Sequence, residues 1–412
     1  MNISVKTGHT WRWSARYSHV FIALIIAITY CETAGAQDWY FGPELRVGGE
    51  YDDNAALATR SDEEIELTGY LADGLLNIEY NSPATRLFFA PRLRSARYSD
   101  NPEFDFDDQF ARWDFSHDTK SSTLRFRGRY SRQSTRTAER QDADLDIDDP
   151  DDFQEDSTGR VEIEGRRQKY NLRPSWQFRP SDISSITAQL NYTIVDYENT
   201  LAIGGLTDYT DARLRLTYER QISRRNVGLL TATGRNYDAA TALEDKAGYG
   251  VAIGVIRNLT PLSNFRAVVG IENTDKTAGD EDQSYVFDFS LTQRLELITL
   301  VAQYKRSINA SGAGNLSSRD AINIRFTRRL SDRLSAGLGV RAYTTTALSD
   351  IPNFNERDYV QLRSRFTWNF SSAFAVEADY RYTFTRRTSL SEGANSNSVI
   401  LWFMYRPGSG PQ

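Results

Sequence analysis

The chain has 412 residues, 40% of them hydrophobic, a mean hydropathy of −0.55 and 49 basic against 55 acidic residues, for a formal net charge of −6. After the first 36 residues no stretch approaches the roughly 20 consecutive apolar residues that a spanning helix requires, which excludes a helical membrane protein. Aromatic residues make up 12% of the chain, with 22 Tyr and 21 Phe against two Met and one Cys, a balance that favours β-strands over a helical core.

Residues 1–36 read as an export signal. Lys6, Arg12 and Arg16 form a basic start, Val20 to Tyr30 a short apolar stretch, and Ala34-Gly35-Ala36 a small-residue cleavage site before Gln37. Cleavage between Ala36 and Gln37 is expected, leaving residues 37–407 as the folded body and 408–412 as a short periplasmic tail. Cleavage would also remove Cys31, and with it disulfides, thiolate metal sites and cysteine catalysis.

From Tyr40 onward one unit recurs: an alternating strand, a connection, another alternating strand. In Ser122 to Arg132, Leu124, Phe126, Gly128 and Tyr130 share one face, while Arg125, Arg127, Arg129 and Ser131 share the other. The same period of two runs through Asp211 to Tyr218, Tyr359 to Phe370 and Phe374 to Phe384. Charges at every second position require one wet face. Two strands break phase, near Asp73-Gly74 and near Arg166-Arg167, where a β-bulge would absorb the slip, as would a strand extending beyond the membrane.

The connections alternate as well. Short, turn-forming ones occur at Asn81 to Ala84, His117 to Ser121, Pro180 to Asp182, Ser223 to Asn226, Pro261 to Asn264, Leu295-Glu296, Ser331 to Arg333 and Ser371-Ser372. Between them lie longer polar stretches: Asp52 to Glu63, Ser99 to Asp105, Arg136 to Gly159, Asn199 to Asp208, Asp238 to Lys246, Asp275 to Asp282, Asn309 to Ser317, Thr346 to Glu356 and Arg387 to Asn397. Short periplasmic turns and long extracellular loops predict an all-β, antiparallel, up-and-down transmembrane barrel of about eighteen strands, or sixteen if the Leu295 turn is absent. A soluble sandwich or propeller would alternate too, without this pairing of short and long connections.

Forty-three of the 49 basic residues are Arg, and many occupy the polar face of strands. Candidate lumen-lining residues are Arg92, Arg94, Arg125, Arg127, Arg129, Arg213, Arg215, Arg325, Arg363, Arg365 and Arg381. Negative charge gathers in the Arg136 to Gly159 connection, with Asp142, Asp144, Asp146, Asp148, Asp149, Asp151 and Asp152 in one run. A basic wall concentrates anions, while the same arginines pairing with carboxylates would brace a wide barrel. The acidic run suits a solvated extracellular loop, a site for divalent cations bridging to lipopolysaccharide, or a segment that folds inward against the basic wall. No catalytic constellation is present: His9 and His19 fall in the export signal, and His117 lies at a short turn, away from any outer-rim Ser-His-Asp site. Neither metal-ligand spacing nor a cofactor motif occurs, so neither enzymatic activity nor a cofactor is expected.

Two segments, Leu45 to Leu57 (LRVGGEYDDNAAL) and Tyr80 to Arg97 with its NSPATRL turn, resemble the β-barrel porin 2 family, which includes EpsL-like outer-membrane proteins of exopolysaccharide systems. The resemblance implies export of a polysaccharide across the outer membrane together with a periplasmic polysaccharide-export protein, and an arginine-lined wall suits an anionic polymer. That wall suits a general or anion-selective diffusion porin equally. A structural or adhesive surface protein with a blocked lumen is the third expectation. All three place the chain in outer-membrane lipid and lipopolysaccharide, with no nucleic-acid partner.

Overall fold

The computed structural model describes residues 39–140, 165–198, 206–240, 246–275, 281–312, 314–348, 356–387 and 393–407. The expected cleavage site at Ala36 and Gln37 and the acidic run Asp142, Asp144, Asp146, Asp148, Asp149, Asp151 and Asp152 lie outside them.

Eighteen antiparallel strands make up the described chain: β1 (Trp39–Asp52), β2 (Leu67–Asn81), β3 (Thr85–Tyr98), β4 (Phe106–Asp118), β5 (Ser122–Ser134), β6 (Arg166–Ser181), β7 (Ser184–Glu198), β8 (Tyr209–Gln221) and β9 (Asn226–Ala239). They continue as β10 (Lys246–Thr260), β11 (Ser263–Asp275), β12 (Glu281–Arg294), β13 (Ile298–Ser311), β14 (Asn315–Arg329), β15 (Leu334–Ala347), β16 (Arg357–Asn369), β17 (Phe374–Arg387) and β18 (Gly393–Tyr405). Each strand pairs with its sequence neighbours, and β18 returns to β1 from Leu45↔Tyr405 to Asp52↔Ser398, closing the sheet into a barrel. The Leu295 turn is real, which fixes the count at eighteen.

The two faces of the wall invert the usual order of a soluble protein. Val47, Leu93, Leu124, Leu214, Val251, Ile253, Leu338 and Leu401 point outward and are exposed, whereas Asp73, Arg94, Asp211, Arg235, Gln303, Arg341 and Asp379 point inward and are buried. An apolar exterior around a polar interior is stable only in lipid, so the protein is an integral outer-membrane barrel. Aromatic belts mark the two interfaces. Trp39, Trp176, Trp368, Phe374 and Phe403 lie near the short-turn rim, with Phe374 5.7 Å from Phe403 and 5.0 Å from Tyr405, while Tyr51, Tyr70, Tyr170, Tyr249 and Tyr285 lie near the other. On the outer face the Trp113 ring lies flat over Gly128, its cross-strand partner, where a Cβ would meet the indole at 1.9 Å.

Neither expected bulge exists. The β1–β2 register runs unbroken from Trp39↔Tyr80 to Asp52↔Leu67, and β5–β6 from Ser122↔Phe178 to Ser134↔Arg166. The apparent slip in β2 arises because Leu67 and Leu71 face inward, into an apolar cluster with Ala55, Ala96, Tyr98, Phe104 and Phe106. Alternation is intact; the inner face near the extracellular mouth is simply apolar there.

Two extracellular connections turn into the barrel. The first begins with a short helix, α1 (Thr135–Arg140), in which Thr135, Arg136, Thr137 and Ala138 are all buried. The second corrects an expectation: Asn309 to Ser317 is not a long loop but the tip of the β13–β14 hairpin, with the Gly314 amide donating to Ser311 O at 3.1 Å and Gly314 at φ 79°. There β13 leaves the wall. Its pairing with β12 ends at Phe287↔Arg306, while its pairing with β14 continues to Ser311↔Asn315. Beyond that point both strand faces are covered, with Ile308, Asn309, Ala310 and Asn315 through Arg319 all buried. The tip packs on Val195, Tyr209, Tyr237 and Ala239 of β7 to β9, several strands away around the wall.

Candidate functional site

The eleven arginines expected to line the lumen all fall on inward-facing positions, and the fold brings five of them into one recess. Arg92, Arg94, Arg363, Arg365 and Arg381 line it together with Arg46, Glu377, Ile400 and Trp402. Cross-strand register places them. Arg46 of β1 faces Asp73 of β2 with Nη2 3.1 Å from Oδ2, and Arg92 of β3 reaches the same carboxylate at 2.6 Å. On β16 and β17, Arg363 holds Asp379 at 2.6 Å, and Arg365 lies 3.3 Å from Asp379 and 3.4 Å from Glu377. β18 carries Trp402 inward between these groups, with the Arg46 and Arg94 guanidiniums 5.5 and 5.6 Å from its ring.

The depth of each group decides what the lumen meets. The Asp73 and Asp379 side chains are 0% and 2% exposed, whereas Arg92 and Arg365 are 15% and 22% exposed. Carboxylates form the back of the site and guanidiniums its surface. Among the described residues, the six arginines of the recess stand against Asp73, Glu377 and Asp379, with Asp108 across the ladder from Arg94, an excess of two positive charges. Bracing and an anion-attracting field therefore come from the same residues.

A second basic tract continues toward the extracellular mouth. Tyr343 and Tyr359 stack at 4.8 Å, and Arg319, Arg341 and Arg357 lie 4.3, 5.6 and 5.6 Å from the Tyr343 ring. The remaining expected arginines stay apart from the recess. Arg125, Arg127 and Arg129 run along β5, where Arg127 stands between Asp114 and Arg173, while Arg215 lies on β8 and Arg325 on β14. Arg213 works with Arg235 elsewhere on the wall. Both share Asp211, at 3.2 and 2.7 Å, and both donate to the carbonyl oxygen of Ile308, at 2.7 and 3.0 Å. They clamp the inward hairpin to the wall. The Tyr237 hydroxyl donates to Ser311 O at 3.2 Å and the Thr207 amide to Gly312 O at 2.7 Å, securing the tip.

On the facing side α1 has its own clamp. Arg136 donates through Nη2 to Glu50 Oε1 at 2.9 Å and Asp52 Oδ2 at 2.8 Å, and through Nη1 to the Tyr98 hydroxyl at 2.7 Å. Tyr98 donates in turn to Glu50 Oε2 at 2.5 Å, and Ser396 Oγ to Asp52 Oδ1 at 2.9 Å. Burial opposes the Arg136 charge, but Glu50, Tyr98 and Asp52 outweigh it and hold the guanidinium protonated well above its ordinary range.

Sequence reasoning named neither Arg46, Arg136, Arg235, Arg319, Arg341 nor Arg357, nor Trp402. Arg46 was signalled by the charges at alternate positions Glu44, Arg46, Glu50 and Asp52, all of which face inward. His117 sits at the short-turn end, its Nδ1 2.9 Å from Thr85 Oγ1.

No family model matches the chain, and no curated protein does. Solved structures that are similar include the Pseudomonas aeruginosa outer membrane protein OpdK, 9% identical over 89% of this chain and 99% of that one, with a TM-score of 0.45. P. aeruginosa OpdQ is 9% identical over 90% and 98%, with a TM-score of 0.45. A mutant of the P. aeruginosa ferric enterobactin receptor PfeA is 8% identical over 88% and 80%, with a TM-score of 0.44. These likenesses concern the barrel fold alone, and the resemblance to the β-barrel porin 2 family gains no support from them.

Proposed function

We propose that this barrel is a diffusion channel of the bacterial outer membrane selective for small anions. The observation that carries the reading is the arginine surface of the recess, where guanidiniums cover their carboxylates and leave an excess of two positive charges on the lumen side. A low-dielectric wall lined with one sign of charge raises the local concentration of counter-ions and the rate at which they pass. Two inward segments, α1 and the β13–β14 hairpin, narrow the path and favour small solutes over a polymer. Such a channel works in lipid without an enzymatic step, a cofactor or a periplasmic export protein, and the polysaccharide-export reading has no comparable observation behind it.

The test is a planar-bilayer recording of the purified full-length barrel under a potassium chloride gradient. A steady conductance whose reversal potential lies toward the chloride equilibrium potential is expected. Reversal toward potassium, or no conductance at all, overturns the proposal. Loss of surface polysaccharide on deleting the gene, with synthesis intact, would turn the assignment to export.

A further inference from the structure

Glu50 and Asp52 are two adjacent inward carboxylates at the extracellular end of β1, on the path by which an anion reaches the arginine recess. Left uncompensated, they would repel the solute that the deeper wall attracts. The described structure hides them. The Asp52 side chain is 0% exposed and that of Glu50 6%, because the Arg136 guanidinium lies across both carboxylates. Arg136 is itself only 7% exposed, so it offers a passing ion almost no surface. Its geometry is that of a mask and not of a lining residue: hydrogen bonds to two carboxylates and a tyrosine, and a guanidinium 5.4 Å from the Tyr98 ring.

The anchoring of α1 supports the same role. Ser134 and Thr137 bond to each other at 2.9 Å, and the Ser134 amide donates to Asp108 at 2.8 Å, which fixes the end of β5 from which α1 departs. Arg136 then spans from β5 to β1 and β3. Docking of α1 and covering of the acidic pair are therefore one event.

We propose that Arg136 determines the charge selectivity of the channel indirectly, by masking Glu50 and Asp52, so that undocking α1 unveils an acidic ring segment at the mouth. The inference rests on the anion-channel reading for its biological sense, but its signature is separable. It concerns a coupling between residues, which exists whichever ion the wild type prefers.

The experiment is a double-mutant cycle read as the anion-to-cation permeability ratio in bilayers. R136Q is expected to lower the ratio roughly threefold or more, because two carboxylates lose their counter-charge. In the E50Q/D52N background the same R136Q change is expected to have almost no effect, since nothing remains to be masked. An R136Q effect of equal size in both backgrounds would make Arg136 an ordinary lining charge and overturn the proposal. E50Q/D52N with Arg136 intact should leave the ratio near its wild-type value, because carboxylates already covered add little to what a passing ion meets; a rise as large as the fall expected from R136Q would show that ions already sense the pair and would overturn the proposal, which keeps the test decisive if R136Q fails to fold. A wild-type barrel that prefers cations would sink the anion-channel reading while leaving the coupling measurable.

Discussion

The two inward segments solve one problem with different chemistry. On the side of β1 and β3, α1 is clamped by charge: one guanidinium against two carboxylates and a tyrosine hydroxyl. On the side of β8 and β9, the hairpin tip is clamped through its backbone, with Arg213 and Arg235 converging on a single carbonyl above an apolar cluster of Tyr209, Tyr237, Ile308 and Leu316. A charge clamp changes the field when it opens. A carbonyl and hydrophobic clamp changes chiefly the aperture. On the anion-channel proposal, the lumen separates selection by sign from selection by size.

The largest effect that would break this separation comes from releasing the hairpin. Replacing Arg213 and Arg235 by Ala, with Asp211→Asn so that no buried carboxylate is stranded, should raise single-channel conductance severalfold, while the permeability ratio, with one net positive charge removed, falls by less than the conductance rises. A ratio that shifts as much as the conductance would merge the two roles. A smaller change is expected from Ile308→Ala, which removes apolar contact from the tip at a local cost of about 3 kcal/mol. It should appear as frequent brief openings to a wider level in single-channel records, and an unchanged record would show that the two arginines hold the hairpin without help. The smallest is Ser396→Ala, which deletes one hydrogen bond to Asp52 worth about 1 kcal/mol. Its thermal unfolding, followed by the gel shift of heat-denatured barrel, should move down by a few degrees at most, with conductance preserved.

The wall was legible in the sequence and its contents were not. Alternation in Leu124 to Ser131 and in Val360 to Trp368, with the short and long connections, predicted eighteen strands because lipid and water impose opposite demands on successive residues. The same rule misread β2. Period two identifies faces but does not say that an inner face must be polar, and Leu67 and Leu71 are inward and apolar because loop residues such as Ala55 and Phe104 cover them. Asn309 to Ser317, with its Ser-Gly-Ala-Gly-Asn centre, has the composition of a solvated loop. Its burial depends on Arg213 and Arg235, 95 and 73 residues away from Ile308, and no local pattern encodes such a contact. Arg136 is the second residue of a polar helix of six residues without an apolar stripe, so nothing in its surroundings distinguished it from the charged run that follows. The recess itself was half visible. Parity alone picks out Arg92, Arg94, Arg363, Arg365 and Arg381, but that Trp402 and Arg46 join them follows from closure of β18 onto β1, a pairing between the two ends of the chain.

Where β13 departs from β12, the wall pays for its plug. Beyond Phe287 toward the extracellular rim, β12 keeps its ladder with β11 and, among the described residues, has none with β13. The β12 amides on that side have no strand partner, so deuterium should enter the barrel first along Ser284 to Val286. Under denaturant the cylinder should unzip downward from this seam toward Arg294 and Thr299, making the strand that obstructs the lumen also the one along which the protein comes apart.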